Sequence, residues 1–150
     1  MEIIGNVLEL YVSIKGQSQR IHKSSIKLDD YGVQEDKFYA TDVNRSVLIT
    51  SITSYELAKN NNIIMEYGVL GENLLIDYNP YHLDIGSQLQ IGEVILEISQ
   101  PCTLCNHLSK IDKKIPTLLK DDRGIFAKVI QEGSIKKNDP IRLLTASNKD

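Results

Sequence analysis

Residues 88–98 read QLQIGEVILEI, and this stretch has the pattern of a β-hairpin. Apolar residues recur at alternating positions on both sides of Gly92 and Glu93, as two half-buried strands require. A glycine-containing pair between two such runs is a turn signal that suits antiparallel neighbours. The stretch therefore predicts adjacent antiparallel strands over residues 88–91 and 94–98.

Similar segments recur on both sides of this hairpin. Five further runs are β-branched or apolar and are separated by turn residues: 2–14, 46–52, 74–76, 125–130 and 141–144. Helical signals are weaker, over residues 54–60, which begin with the capping-type Ser54, and over residues 103–120. Many short strands with a few short helices are typical of a closed β-barrel. The sequence predicts a mainly β barrel of six to eight strands, with residues 1–150 as one domain.

Composition excludes several classes of protein. With 150 residues, 41% of them hydrophobic and 25% charged, the chain has the profile of a folded domain rather than of a disordered segment. No apolar run approaches the roughly 20 residues that span a bilayer, and the first residues lack the features of a signal peptide. We therefore expect a cytoplasmic protein without a membrane partner. A net charge of −3 and the absence of Trp argue against nucleic acid as a partner.

The two cysteines, Cys102 and Cys105, follow directly after Pro101. So close a pair cannot hold a fold together, and Pro101 ends the preceding strand because it has no N–H for the ladder. Three roles stay open on the residues alone: a small buried apolar residue, a redox pair, or a ligand for a soft metal. The redox pair lacks a surrounding βαβ pattern. A zinc site lacks a fourth ligand, since only His107 lies nearby as a third.

Three basic residues stand where strands begin or end. Arg45 and Arg123 directly precede predicted strands, and Lys15 ends the first one. Guanidinium groups bind phosphate in a bidentate manner, so these residues could converge on an anion. They could equally form surface ion pairs with neighbouring carboxylates, and Asp36 lies upstream of Arg45 in the same segment.

A glycine-flanked loop precedes the predicted strand 74–76. In this loop Gly71 permits a positive φ, and Glu72 and Asn73 present a carboxylate and an amide at the turn. These two side chains could serve a site or could cap their own loop backbone. No nucleotide-binding glycine motif and no recognisable hydrolase triad accompanies them.

Taken in order, these segments resemble the MOSC domain family, which is named after the C-terminal domain of molybdenum-cofactor sulfurase. The Gly-Glu-Asn-Leu loop, followed by a strand, Gln-Pro and a cysteine, is the most specific part of the resemblance. The matching elements cover most of the chain: residues 14–16, 32–36, 45–48, 68–74, 89–92, 100–101 with Cys105, 123–125 and 133–135.

Three positions depart from the family pattern. Glu35 stands where the family usually has glycine before the aspartate, and Asn138 replaces the glycine of a Gly-Asp pair. Asn tolerates a left-handed backbone better than most residues. Cys102 stands where small bacterial relatives often have arginine after Gln-Pro, which removes an anion-binding charge and adds a second thiol.

The resemblance implies a barrel similar to that of pyruvate kinase and a role in sulfur or molybdenum-cofactor chemistry. It implies that Cys105, rather than Cys102, is the catalytic thiol and the molybdenum ligand. The other residues that it assigns to cofactor binding are Lys15, Asp36, Arg45, Glu72, Asn73 and Arg123. The phosphate of the molybdopterin gives the basic residues among them a physical reason to converge.

Two kinds of activity follow from the resemblance. One is sulfur or cofactor transfer. The other is reduction of N-hydroxylated or related N–O or S–O compounds, with a separate protein as electron donor. The alternatives are a persulfide sulfur carrier without metal and a non-catalytic binding or regulatory module on the same barrel. The family also has an association with pyridoxal phosphate binding.

Overall fold

The computed structural model describes residues 2–17, 20–102 and 106–145. Within these ranges the chain forms eleven strands, two short α-helices and two 3-10 turns, the latter at Val43–Arg45 and Asn106–Lys110. The helices are α1 (Ile52–Asn60) and α2 (Ile115–Leu118). The strands are β1 (Ile3–Ser13), β2 (Arg20–Lys23), β3 (Ser25–Asp29), β4 (Gly32–Val33), β5 (Val47–Ser51), β6 (Leu74–Ile76), β7 (Gln88–Ile91), β8 (Val94–Pro101), β9 (Ile125–Gln131), β10 (Gly133–Lys136) and β11 (Pro140–Thr145).

Seven of these strands close into a barrel in the order β11-β7-β8-β9-β5-β6-β1, with β1 pairing back to β11. All neighbours are antiparallel except β5 and β6, which are parallel. A parallel pair needs a long crossover connection, and here the crossover contains α1 and the glycine-flanked loop. Strand β2 extends the sheet beyond β1, and β10, β3 and β4 form a small separate sheet.

The barrel interior is filled by apolar side chains that alternate along each strand. Leu10, Ile49, Leu96 and Ile98 are among those with no exposed surface. Burial of each such side chain stabilises the fold by about 1.5–3 kcal/mol. A second apolar cluster packs α1, α2 and Leu75 against the outside of the wall, so strand β6 is buried on both faces.

The predicted mainly β barrel is confirmed, and its seven strands are the seven that the sequence pattern predicted. The hairpin is also confirmed, because Ile91 pairs with Val94 across Gly92, which has a φ of 58°. Strand β8 continues past residue 98 to Pro101. The seven strands of the barrel agree with the expected six to eight. The strands outside the barrel, β2, β3, β4 and β10, were not predicted, because they have at most five residues and carry no long apolar run.

Helix α1 begins at Ile52, two residues before the predicted start. Its cap is Ser51, whose hydroxyl accepts a hydrogen bond from the Thr53 N–H at 3.1 Å. Ser54, the predicted cap, is buried inside the helix, so that assignment was wrong. Within the predicted helical region 103–120, residues 103–105 lie outside the described part, and the rest forms the Asn106–Lys110 turn and α2.

In the part of the chain that the structure describes, no helix combines the length and the apolar character needed to cross a membrane.

Two of the positions that depart from the family pattern adopt a left-handed backbone. Glu35 has a φ of 73° and Asn138 a φ of 75°. Glycine adopts this conformation without strain, and asparagine tolerates it better than glutamate does. Glu35 therefore adopts a backbone conformation that favours glycine.

Candidate functional site

A cavity of about 680 Å³ lies against the outer face of the barrel wall. The wall residues Leu48 and Phe126 line it, whereas their strand neighbours Ile49 and Ile125 belong to the barrel interior. Successive side chains of a strand point to opposite faces, so the cavity must lie outside the barrel. Residues from the segments 36–46 and 66–73 form its other walls.

Two arginine guanidinium groups from distant parts of the sequence meet at Gly71. A Cβ atom placed on Gly71 would lie 3.2 Å from Arg20 Nη2 and 3.7 Å from Arg123 Nη2. Gly71 also has a φ of 95°, which disfavours any side chain there. Arg123 Nη2 donates to the Leu70 carbonyl at 3.0 Å, so this loop and the two arginines form one positively charged wall of the cavity.

Arg45 contributes a third guanidinium on a more exposed side of the cavity. Its Cζ lies 4.8 Å from the centroid of the Phe126 ring, which is a cation–π arrangement. The residue ends the Val43–Arg45 turn, and the Asp42 side chain caps that turn by accepting from the Asn44 N–H at 3.0 Å. Three of the four arginines in the chain therefore line one cavity.

Asp36 is the buried carboxylate that faces Arg20. Its Oδ1 lies 4.0 Å from Arg20 Nη1, and its two oxygens accept from the N–H groups of Ser13 at 2.7 Å and of Phe38 at 3.0 Å. The Asn73 amide donates to the same carboxylate at 3.3 Å. Asp36 thereby fixes the end of β1, its own loop and Arg20 relative to one another.

Asn73 connects two strands of the wall while it lines the cavity. Its Oδ1 accepts from the Leu48 N–H at 3.0 Å, and its Nδ2 donates to the Tyr11 carbonyl at 3.2 Å. Both contacts are made to backbone groups of the strands. Asn73 therefore holds β1 and β5 together at the cavity floor.

Glu72 lies behind the cavity wall with no exposed surface. Its Oε2 accepts from the Tyr55 hydroxyl at 2.6 Å and from the Gly68 N–H at 2.9 Å. Its Oε1 has no hydrogen-bond partner among the described residues. Burial raises the pKa of Glu72, and the hydrogen bonds together with the charge of Arg20 oppose that rise only in part.

Cys102 is buried in the cavity wall beside Leu48 and Phe126. It follows directly after β8, and its N–H donates to the Gly124 carbonyl at 3.0 Å, which sets it next to the segment that carries Arg123. Cys105 lies outside the described residues. Within the described ranges, no group of three or more His, Cys, Asp or Glu side chains is arranged to hold a metal ion.

The structure brings four of the residues assigned from sequence into one cavity: Asp36, Arg45, Asn73 and Arg123. Glu72 stands behind the wall rather than in it, and Lys15 is exposed and is not among the lining residues. Arg20 also lines the cavity but was not predicted from the sequence. Only four of the 17 basic residues are arginines, and this scarcity is the one signal that could have drawn attention to Arg20.

The fold and this cavity define a class of protein: a seven-stranded barrel that carries a loop-covered, arginine-lined pocket on its outer face. The MOSC domain model matches residues 19–142, and the chain belongs to the MOSC domain family. The predicted resemblance is thereby confirmed.

Solved structures support the same fold. The YuaD protein from Bacillus subtilis superposes with a TM-score of 0.81 at 14% identity, covering 91% of this chain and 93% of that one. YiiM from Escherichia coli superposes with a TM-score of 0.72 at 18% identity, covering 96% and 72%. YiiM from Geobacillus stearothermophilus gives 0.69 at 15% identity, covering 96% and 75%. No curated protein gives a significant match to the sequence.

Proposed function

We propose that this MOSC protein binds molybdenum cofactor in the outer-face cavity, with Cys105 as the thiolate ligand of the metal. The observation that supports this most is the meeting of the Arg20 and Arg123 guanidinium groups at Gly71. Two such groups match the oxygens of a phosphate, which the pterin part of the cofactor carries. Both lie on the cavity that Cys102, three residues before Cys105, also lines.

The residues present fit such a group in size and in chemistry. A volume of about 680 Å³ is within the range of roughly 300–1,000 Å³ that small-molecule sites have. Thiolate is a ligand that soft metals prefer, and the segment after Pro101 supplies it. The cofactor, when bound, would supply two-electron chemistry at the metal, with which an N–O or S–O bond is reduced.

The side chains of this protein would bind and orient the cofactor. Arg20 and Arg123 would hold the phosphate, and Asp36 would keep Arg20 in place through its contact at 4.0 Å. Arg45, on the exposed side, would contact an anionic part of the cofactor or the substrate. Glu72 and Asn73 would act through the loop that they hold, and Lys15 has no direct contact in this proposal because it does not line the cavity.

The activity would be either transfer of sulfur or cofactor, or reduction of N-hydroxylated and related compounds. In the reductive activity, a separate donor protein would supply the electrons. A cytoplasmic location would suit a protein that acts through a thiol, because thiols remain reduced there.

A persulfide carrier without metal is the second candidate, and the placement of Cys102 favours it. Cys102 lines the same cavity as the arginines, and positive charge near a thiol favours its anionic form. In this alternative, Cys102 and Cys105 would both be required for carrying sulfur. A non-catalytic binding or regulatory module would need neither thiol for its function.

The test is the metal content of protein purified from cells that make the cofactor. We expect about one molybdenum per chain in the wild type and in Cys102→Ser, and none in Cys105→Ser, while all three fold alike. The two thiol variants are matched controls for each other, because each removes one sulfur from the same segment. Bound sulfane sulfur without molybdenum, lost in both variants, would establish the carrier instead. Visible absorbance of the same samples distinguishes pyridoxal phosphate as the bound phosphate compound.

A further inference from the structure

Four ionisable side chains with little exposure surround the point where the guanidinium groups meet. The Arg20 side chain is 17% exposed and that of Asp36 4%, while Arg123 is 4% and Glu72 0% exposed as whole residues. Their formal charges cancel when both carboxyls are ionised. Together with an anion bound to the two arginines, these four groups would therefore carry net negative charge in a poorly solvated place unless a proton enters with the anion. Arg45 and Lys37, which also line the cavity, are exposed.

The two carboxyl groups differ in how well they could accept that proton. Asp36 accepts hydrogen bonds on both oxygens, from Ser13, Phe38 and Asn73, so each of its oxygens already has a donor. Glu72 receives its donors on Oε2 alone, and Oε1 is buried without a hydrogen-bond partner in the described part of the chain. A proton on Oε1 would remove the charge without breaking either hydrogen bond.

We propose that anion binding at Arg20 and Arg123 is coupled to protonation of Glu72, so that the cavity takes up the anion and a proton together. The proposal rests on the anion site of the proposed function and adds its regulation by pH. Arg20 interacts electrostatically with the Glu72 carboxylate and stabilises its charge. A bound anion would offset that positive charge, and the Glu72 carboxyl would then take a proton from solvent.

Several other ionisable groups lie around Glu72. They are the phenols of Tyr11, Tyr55 and Tyr81, the guanidinium groups of Arg20 and Arg123, and Asp36 beyond Asn73. Burial raises the pKa of Tyr11 and of Tyr81 to about 12, and it raises that of Tyr55 as well, with Glu72 adding to the rise in each. The phenols therefore stay neutral below pH 9, and Glu72 is the group whose charge can follow binding.

The sign of the pH dependence follows from this coupling. Glu72 would have a higher pKa with the anion bound than without it. Anion affinity is then highest below the pKa of the anion-free state and falls as pH rises toward the pKa of the bound state. For one coupled proton the fall is at most about tenfold per pH unit.

Sulfate is a suitable probe, because it does not titrate between pH 5 and 8. Calorimetric titration at each pH, in two buffers with different ionisation enthalpies, measures the number of protons taken up with each sulfate. We expect uptake by the wild type and a falling affinity with rising pH. In Glu72→Gln the uptake should vanish, and the affinity should stay near the low-pH wild-type value throughout.

Two further variants separate the coupling from a purely structural role of Glu72. Tyr55→Phe removes a donor that stabilises the ionised form, so the pH window should move upward. Glu97→Gln removes a carboxylate that pairs with Lys128 at 3.4 Å and does not line the cavity, so it should behave as the wild type. A structural role alone would weaken sulfate binding in Glu72→Gln at every pH.

Several outcomes would overturn the proposal. Sulfate binding by the wild type without proton uptake would do so, even if Glu72→Gln does not fold. An unchanged pH dependence in Glu72→Gln would do the same. In either case the protein could still contain molybdenum, and the proposed function would stand. If the protein does not bind sulfate, the anion site is removed from both proposals. If sulfate binding is coupled to proton uptake but the protein contains no molybdenum, only the proposed binding of molybdenum cofactor is rejected.

Discussion

Leu48 and Ile49 are neighbours in strand β5, yet they face two different environments. Ile49 points into a barrel interior made of aliphatic side chains, and Leu48 points toward the arginine-lined cavity. The interior is stabilised by apolar burial, which many residues of similar size can supply. The outer face depends on buried hydrogen bonds and charges, each of which needs a partner in a particular position. The same strand therefore has one face on which many apolar residues of similar size can be accommodated and one face on which particular residues are required.

Truncating a side chain should lower the free energy of unfolding more on the interior face of the barrel wall than on its outer face. Leu96→Ala removes a side chain with no exposed surface from the barrel interior, and we expect it to lower the free energy of unfolding by about 2–5 kcal/mol. Leu48→Ala enlarges a cavity that already exists, so we expect a loss of about 2 kcal/mol or less. Urea denaturation of both variants measures the difference. Equal losses would show that the outer face is packed as tightly as the interior.

The part of the molecule that could be predicted from the sequence is the set of strand faces that point into the barrel interior. The seven barrel strands could be predicted because burial on one face of a strand imposes an alternating apolar pattern on the sequence. The order of the family-like segments along the sequence identified four of the cavity residues: Asp36, Arg45, Asn73 and Arg123. Identifying them in this way does not require knowledge of the fold.

Arg20 and the orientation of Glu72 could not be predicted in this way. Arg20 lies in the short polar strand β2 and reaches the cavity only because β2 pairs with β1, with Arg20 opposite Ser13. That pairing brings Arg20 to the carboxylate that binds the Ser13 N–H. Glu72 and Asn73 are adjacent, and the sequence does not say which of them faces the cavity. Both facts depend on strand register, which local patterns define poorly for short polar strands.

Arg20 also provides a sharper test of the charged face. Arg20→Gln removes one of the two guanidinium groups that meet at Gly71, and we expect sulfate affinity to fall about ten- to hundredfold. Arg142→Gln is a matched control, because Arg142 lies in β11 and does not line the cavity. Titration calorimetry at one pH and salt concentration measures both. An equal decrease in the two variants would mean that only the overall charge of the protein matters.

Gly71 tests whether the cavity needs its close approach to the arginines. Gly71→Ala introduces a side chain at a φ of 95° and 3.2 Å from Arg20 Nη2. We expect a loss of about 1–2 kcal/mol in unfolding free energy from the backbone conformation, together with weaker sulfate binding. Gly16→Ala is the control, since Gly16 has a φ of 85° and, chain neighbours apart, no atom of the described residues lies within 4 Å of an added Cβ. It should lose similar stability and keep sulfate affinity, and a loss of affinity in both would point to a general loosening.

The smallest expected effect concerns the left-handed residue before Asp36. Glu35→Gly should raise the free energy of unfolding by about 1 kcal/mol or less, because glycine adopts a φ of 73° without the strain that glutamate carries there. The salt bridge from Lys23 Nζ at 3.3 Å would be lost, but Glu35 is well exposed and such pairs contribute little. Asn138→Gly, at a φ of 75°, should change stability less, since asparagine already tolerates this conformation. Urea denaturation of the two variants compares them directly. A destabilised Glu35→Gly would mean that the Glu35 side chain contributes more to the loop around Asp36 than its backbone strain costs.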